Sequence, residues 1–147
     1  MSSKIANYYA RGERPLTKEE IEEVYASHPW LPRPKHIIML DGDVKVPEGT
    51  AIGLTPAGES VMILTPLSDQ ETILHESIHL MGLGEVAAYT LGPLLSRKRF
   101  SLIRRRPKYV ERDDAREMLH FLATHYGLRP ETMYPEPKLR HWVLEGR

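Results

Sequence analysis

The stretch Ser68-Asp69-Gln70-Glu71-Thr72-Ile73-Leu74-His75-Glu76-Ser77-Ile78-His79-Leu80-Met81-Gly82 decides how this chain is read. Ser68 to Glu71 forms a capping box at the mouth of an apolar helix, Ile73 to Met81, which Gly82 and Gly84 end. Within that helix His75 and His79 lie about 40° from each other around the axis and one turn apart, so both imidazoles reach a single tetrahedral Zn²⁺. Glu76, beside the first histidine, is placed to take a proton from a water and pass it to a leaving amine, the role of a general base. Ile73, Leu74, Ile78 and Met81 anchor the faces that carry no ligand. The alternative is a helix with two ordinary surface or core histidines.

A zinc site of this kind needs a third protein ligand, and Glu85 is the best placed candidate. Continued helix would put it about 600° of rotation beyond His79, on a different face. Gly82 and Gly84 allow a sharp turn that swings the carboxylate back under the imidazoles. Glu85 also fits as a negative charge favoured at the start of a following helix. Glu111, Asp113, Asp114 and Glu117 are the reserve candidates.

Upstream of this centre, Thr17 caps a helix running to about Ser27, Glu20 completes its capping box, and Ile21, Val24 and Tyr25 form its buried face. Pro29, Pro32 and Pro34 stop that helix. Three runs of β-formers follow, His36 to Leu40, Thr50 to Thr55 and Ser60 to Thr65, separated by turn residues. Downstream of it, a glutamate-bearing helix begins at Glu85 and runs through Leu95, disturbed at Gly92-Pro93. A further helix spans Glu111 to Tyr126, with Ala115, Met118, Leu119, Leu122 and Tyr126 inside, and Gly127 ends it. The segment Trp142-Val143-Leu144 is expected to dock on the surface. The expected fold is therefore α+β: a small, mainly antiparallel sheet of about three strands packed with an N-terminal helix, an active-site helix, a glutamate-bearing helix and a C-terminal helix. One domain covers 1–147, with an N-terminal segment 1–15 and a tail 129–147.

Composition narrows the chemistry. With no cysteine among the 147 residues, disulfides, iron–sulfur ligation and thiolate zinc sites are excluded, leaving His, Asp and Glu as strong ligands. Twenty basic residues balance twenty acidic ones, so attraction to nucleic acid or anionic lipid cannot rest on overall charge. The first thirty residues lack the apolar centre of a secretory signal and no stretch reads as a membrane span, so a cytoplasmic address is expected. Asn7 and Gln70 are the only amides and prolines number 12, which suits a thermophilic source.

The string His75-Glu76-x-x-His79 resembles that of the zincin metallopeptidases. Extended to Gly82 and Glu85, it is similar to the metzincin signature with glutamate in place of the third histidine. A glutamate ligand on a following helix resembles the gluzincins, and the order of helix, three strands, active-site helix and glutamate-bearing helix is similar to the compact minigluzincins. The motif covers His75 to Glu85 and the layout Thr17 to Leu95. The resemblance implies that Ser60 to Thr65 is the edge along which an extended peptide lies. It also likens Met133-Tyr134-Pro135 to a Met-turn beneath the metal, where a merely packing methionine is the alternative.

Three further features bear on the chemistry. Arg97 to Lys108 holds seven basic residues and no acidic one, which suits either a phosphate-binding patch or a solvated loop pairing with acidic stretches. His120 and His125 lie about 140° apart on their helix and cannot share a metal through it. Tyr89 faces the metal or packs. The sequence thus points to a Zn²⁺-dependent metallopeptidase acting on a peptide or protein, with His75, His79 and Glu85 as metal ligands and Glu76 as catalytic base. The rival is a catalytically silent or latent zincin-like binding module, contacting nucleic acid through 97–108.

Overall fold

The computed structural model describes residues 15–42, 44–46, 49–82, 84, 108–130 and 139–145. Within them the chain is α+β, with three helices and two sheets. Helix α1 spans Lys18–Ser27, α2 Gln70–Leu80 and α3 Ala115–Tyr126. The strands are β1 (His36–Met39), β2 (Val44–Val46), β3 (Gly49–Ala51), β4 (Gly53–Leu54), β5 (Val61–Leu64), β6 (Lys108–Arg112), β7 (Arg129–Pro130) and β8 (Arg140–Glu145).

Five strands form the main sheet in the order β4-β5-β1-β8-β6, and a smaller sheet runs β3-β2-β7. The main sheet is mixed rather than mainly antiparallel, because β1 pairs with β5 in parallel, His36 opposite Val61 and Met39 opposite Leu64. Its five strands also exceed the three expected. The reason lies in burial on both faces. Ile37, Met39, Met62 and Leu64 point toward α1 and α2, whereas Ile38, Val61 and Ile63 point toward Leu119 and Leu122 of α3. Strands covered on both sides read as continuous apolar runs, the pattern of parallel sheet interiors.

Four local expectations change. The run Thr50 to Thr55 is broken at Ile52, so β3 joins the small sheet and β4 the main one. Val44–Val46, expected as a connection, is the middle strand of the small sheet. Lys108–Arg112 is an edge strand and α3 starts only at Ala115; with Tyr109 its one buried residue, β6 carries too little apolar pattern to look like a strand. Tyr126 is exposed, not inside. The C-terminal piece is the largest correction. It does not dock on the surface but lies as β8 between β1 and β6, with Trp142 only 1% exposed.

Helix ends follow local chemistry. Thr17 and Glu20 form the reciprocal capping box of α1, and Ile21, Val24 and Tyr25 are buried as expected. At α2 the cap is Asp69, paired with Thr72 rather than with Glu71. Gly127 ends α3 in the left-handed conformation, with φ of 68°. Helices α1 and α2 pack against each other on the sheet, tied by a buried 2.7 Å hydrogen bond between Tyr25 Oη and Ser77 Oγ. Burial raises the Tyr25 pKa, so the phenol remains protonated and available to this bond. Among the described residues no helix is long and apolar enough to cross a membrane.

Candidate metal centre

Asp69 sets the start of α2 by accepting from the Thr72 backbone at 2.9 Å, and the helix then presents His75 and His79 on one face. Their Nε2 atoms stand 3.3 Å apart, with ring centroids 4.9 Å apart and ring planes at 72°. Two nitrogens bound about 2.0–2.1 Å from one tetrahedral zinc are separated by about 3.3–3.4 Å. The two histidines therefore already have the spacing of a chelating pair. Both are half-buried, whereas Glu76 is 5% exposed. Potential ligand atoms of His75, Glu76 and His79 all lie within 4.8 Å of one another, the one such group among the described residues.

Glu76 is held from the sheet side. Thr55 Oγ1 donates to Glu76 Oε1 at 2.7 Å, while Oε2 lies 3.9 Å from His75 Nε2. One carboxylate oxygen is thus anchored and the other faces the histidine pair. Strand β4 comes close enough to do this because position 53 is glycine: a Cβ there would sit 2.8 Å from Thr72 Cγ2 and 3.3 Å from Glu76 Cγ. The backbone just before β4 is tied down as well, since Thr65 and Ser68 hydroxyls both donate to the Ile52 carbonyl, at 2.8 and 2.6 Å. Ser68, expected in the helix cap, serves this clamp instead.

Thr55 is the residue that sequence reasoning missed. A glycine inside a strand pattern signals close backbone approach. That signal, at Gly53, was present in the run Thr50 to Thr55. The edge was also misplaced. Ser60 to Thr65 is interior, because β5 lies between β4 and β1, and β4 is the strand at that margin of the sheet.

The structure brings together His75, Glu76 and His79. Glu85 and the helix expected from it to Leu95, Tyr89, the basic residues 97–107 and Met133-Tyr134-Pro135 lie outside the described residues. The reserve carboxylates do not join the cluster. Asp114 is engaged by His141, Glu111 stands 3.9 Å from Arg140 on the surface, and Asp113 and Glu117 are exposed. His120 and His125 are exposed too, the latter bonded to the Phe121 carbonyl at 3.0 Å.

A cleft of about 440 Å³ opens beside His79 and is lined by Pro32, Arg33 and the turn Thr55 to Ser60. No protein-family model, curated protein or solved structure matches this chain.

Proposed function

We propose that this chain is a zinc-dependent metallopeptidase of zincin type. His75, His79 and Glu85 hold the metal, and Glu76 is the general base. The observation that carries this reading is the 3.3 Å separation of the two imidazole nitrogens, set beside a buried carboxylate whose one oxygen is already fixed by Thr55. Bound there, zinc supplies a Lewis acid. The protein supplies the rest. Glu76 Oε2 accepts the proton of the attacking water and returns it to the leaving amine, while Thr55 keeps the carboxylate from rotating away. A peptide laid as an added strand against β4 would run past Glu76 with its backbone aligned by the sheet.

The test pairs metal content with hydrolysis. Wild-type protein is expected to bind one zinc per chain and to cleave an unstructured protein such as casein, with both lost on chelation. His75→Ala and His79→Ala should lose the metal, whereas Glu76→Gln should keep it and lose cleavage. A Glu76→Gln protein as active as wild type would remove the assigned base.

A further inference from the structure

Resting on the peptidase reading, we infer that the cleft beside His79 selects substrates with a lysine or arginine near the scissile bond, and that Glu59 recognises the basic side chain. Strand β4 ends at Leu54, and the residues that follow it, Thr55 to Ser60, line the cleft. A peptide paired with β4 opposite Glu76 therefore extends past this opening. With a volume of about 440 Å³ the cleft falls within the range of small-ligand sites, room enough for one long side chain. Pro32, Pro56 and Leu80 supply apolar lining, the kind of surface on which the aliphatic stem of lysine or arginine packs while its charged head stays in polar surroundings.

Arg33 and Glu59 both line the cleft, and they differ in what already holds them. The guanidinium of Arg33 is turned onto α1: Nη2 donates to the Tyr25 carbonyl at 3.4 Å, the central carbon stands 5.6 Å from the centre of the Tyr25 ring, and Nε is buried. That cation is committed to a buried tyrosine. Among the described residues the half-buried Glu59 carboxylate has one partner, the Tyr126 hydroxyl on its Oε1, which brings no opposite charge. The bond raises the Tyr126 pKa, so the phenol stays a neutral donor. One O–H occupies one of the roughly four lone-pair sites of a carboxylate and leaves its charge uncompensated. The position of Glu59 is set locally: its backbone N–H donates to the Pro56 carbonyl at 3.2 Å, and Gly58 has φ of 81°, the value that the third residue of a type II turn requires. Glu59 thus sits at the far end of this turn from Thr55, whose hydroxyl holds Glu76. A side chain must be long to span that distance, and an ammonium or guanidinium arriving at Glu59 Oε2 makes a charge-assisted hydrogen bond.

The experiment uses full-length Glu76→Gln protein supplied with zinc and a set of octapeptides that differ only in a central lysine, arginine, norleucine or glutamate. Each carries fluorescein on its N-terminus and an amide at its C-terminus, so the central residue alone varies in charge. Fluorescence anisotropy is expected to show about tenfold tighter binding of the lysine and arginine peptides than of the norleucine peptide, with the glutamate peptide weakest. Added in the same background, Glu59→Gln should abolish the preference for lysine over norleucine and Glu59→Asp should retain part of it, whereas Arg33→Gln should leave it in place. Circular dichroism confirms that each variant is folded. Equal affinity for the lysine and norleucine peptides, tighter binding of the glutamate peptide, no binding of any, or an unchanged preference in Glu59→Gln overturns the inference. A peptidase reading that fails shows itself differently, as lysine-selective, Glu59-dependent binding by a protein that holds no zinc or whose wild-type form cleaves nothing.

Discussion

Two pairs of histidines stand close together in this protein, and they are built in opposite ways. His75 and His79 come from successive turns of α2, with Nε2 atoms 3.3 Å apart and a carboxylate beside them. His36 and His141 come from β1 and β8, 105 positions apart in the chain, and His36 Nδ1 lies 2.8 Å from His141 Nε2. The second separation is that of a hydrogen bond and is shorter than two ligands of one zinc allow. On its far side His141 Nδ1 donates to Asp114 Oδ1, so the two rings and the carboxylate form one hydrogen-bonded chain. Asp114 stands at the N-cap of α3 yet makes no side-chain capping bond, because its carboxylate is turned to His141. Similar rings at similar distances therefore perform different work: one pair is spaced to chelate, the other is a hydrogen-bonded tie among a helix start and two strands.

The largest expected effects separate the pairs by function. Glu76→Gln should lower kcat by about 10²–10⁴-fold with zinc retained, the range for loss of a general base. Under the same assay His36→Ala should keep one zinc per chain, measured by elemental analysis. A His36→Ala protein without zinc would show that the second pair also serves the metal.

Next comes stability. His141 is 1% exposed, and its removal leaves a void between β1 and α3 together with an Asp114 carboxylate deprived of its donor. His141→Ala should cost about 2–4 kcal/mol in denaturant unfolding. His79→Ala, on a half-buried helix face, should cost less than about 1 kcal/mol in metal-free protein. Equal losses would erase the distinction.

Thr55→Val tests the support of the base. Zinc affinity should be unchanged while hydrolysis falls about ten- to hundredfold, and Thr55→Ser should restore most of it. A loss of metal instead would mean that Thr55 holds up the helix rather than the carboxylate.

The smallest effect is in pH dependence. Burial lowers the His36 pKa below its usual 6.5, with His141 and Lys35 adding to the shift. As pH falls through that ordinary value the unfolded chain takes up the proton first, so stability declines until the folded-state pKa is passed. Partial burial alone would raise the Asp114 pKa, but the bond and charge of His141, with Arg112, outweigh it and hold the carboxyl below its ordinary range. Its contribution is present above that range and is lost at lower pH, as the folded-state carboxyl takes up its proton. His36→Gln should flatten the slope of metal-free stability between about pH 7 and 5, and Asp114→Asn should flatten it at lower pH. Unchanged slopes would mean that neither group couples to folding.

What could be read along the chain was whatever neighbouring residues decide among themselves. Thr17 and Glu20, three positions apart, complete a box that depends on nothing distant. His75 and His79 share a face because a helix repeats every 3.6 residues. Strand order obeyed other rules. Lys108–Arg112 is charged because it lies at an edge, and Arg140–Glu145 seemed peripheral because a proline-containing tail precedes it. Nothing local marks Trp142 as the partner of Glu111 and Ile37.

The amino-acid order by itself determined the start of α1, the glycine stops, the absence of thiol chemistry and the paired imidazoles with their adjacent carboxylate. These depend on contacts within one or two turns, whose geometry the backbone period sets. Only the tertiary structure decided the parallel pairing of β1 with β5, the interior seat of β8, the tie of His36, His141 and Asp114, and the approach of Thr55 to Glu76. Those depend on which apolar faces cover one another, and that choice is made by the whole core at once.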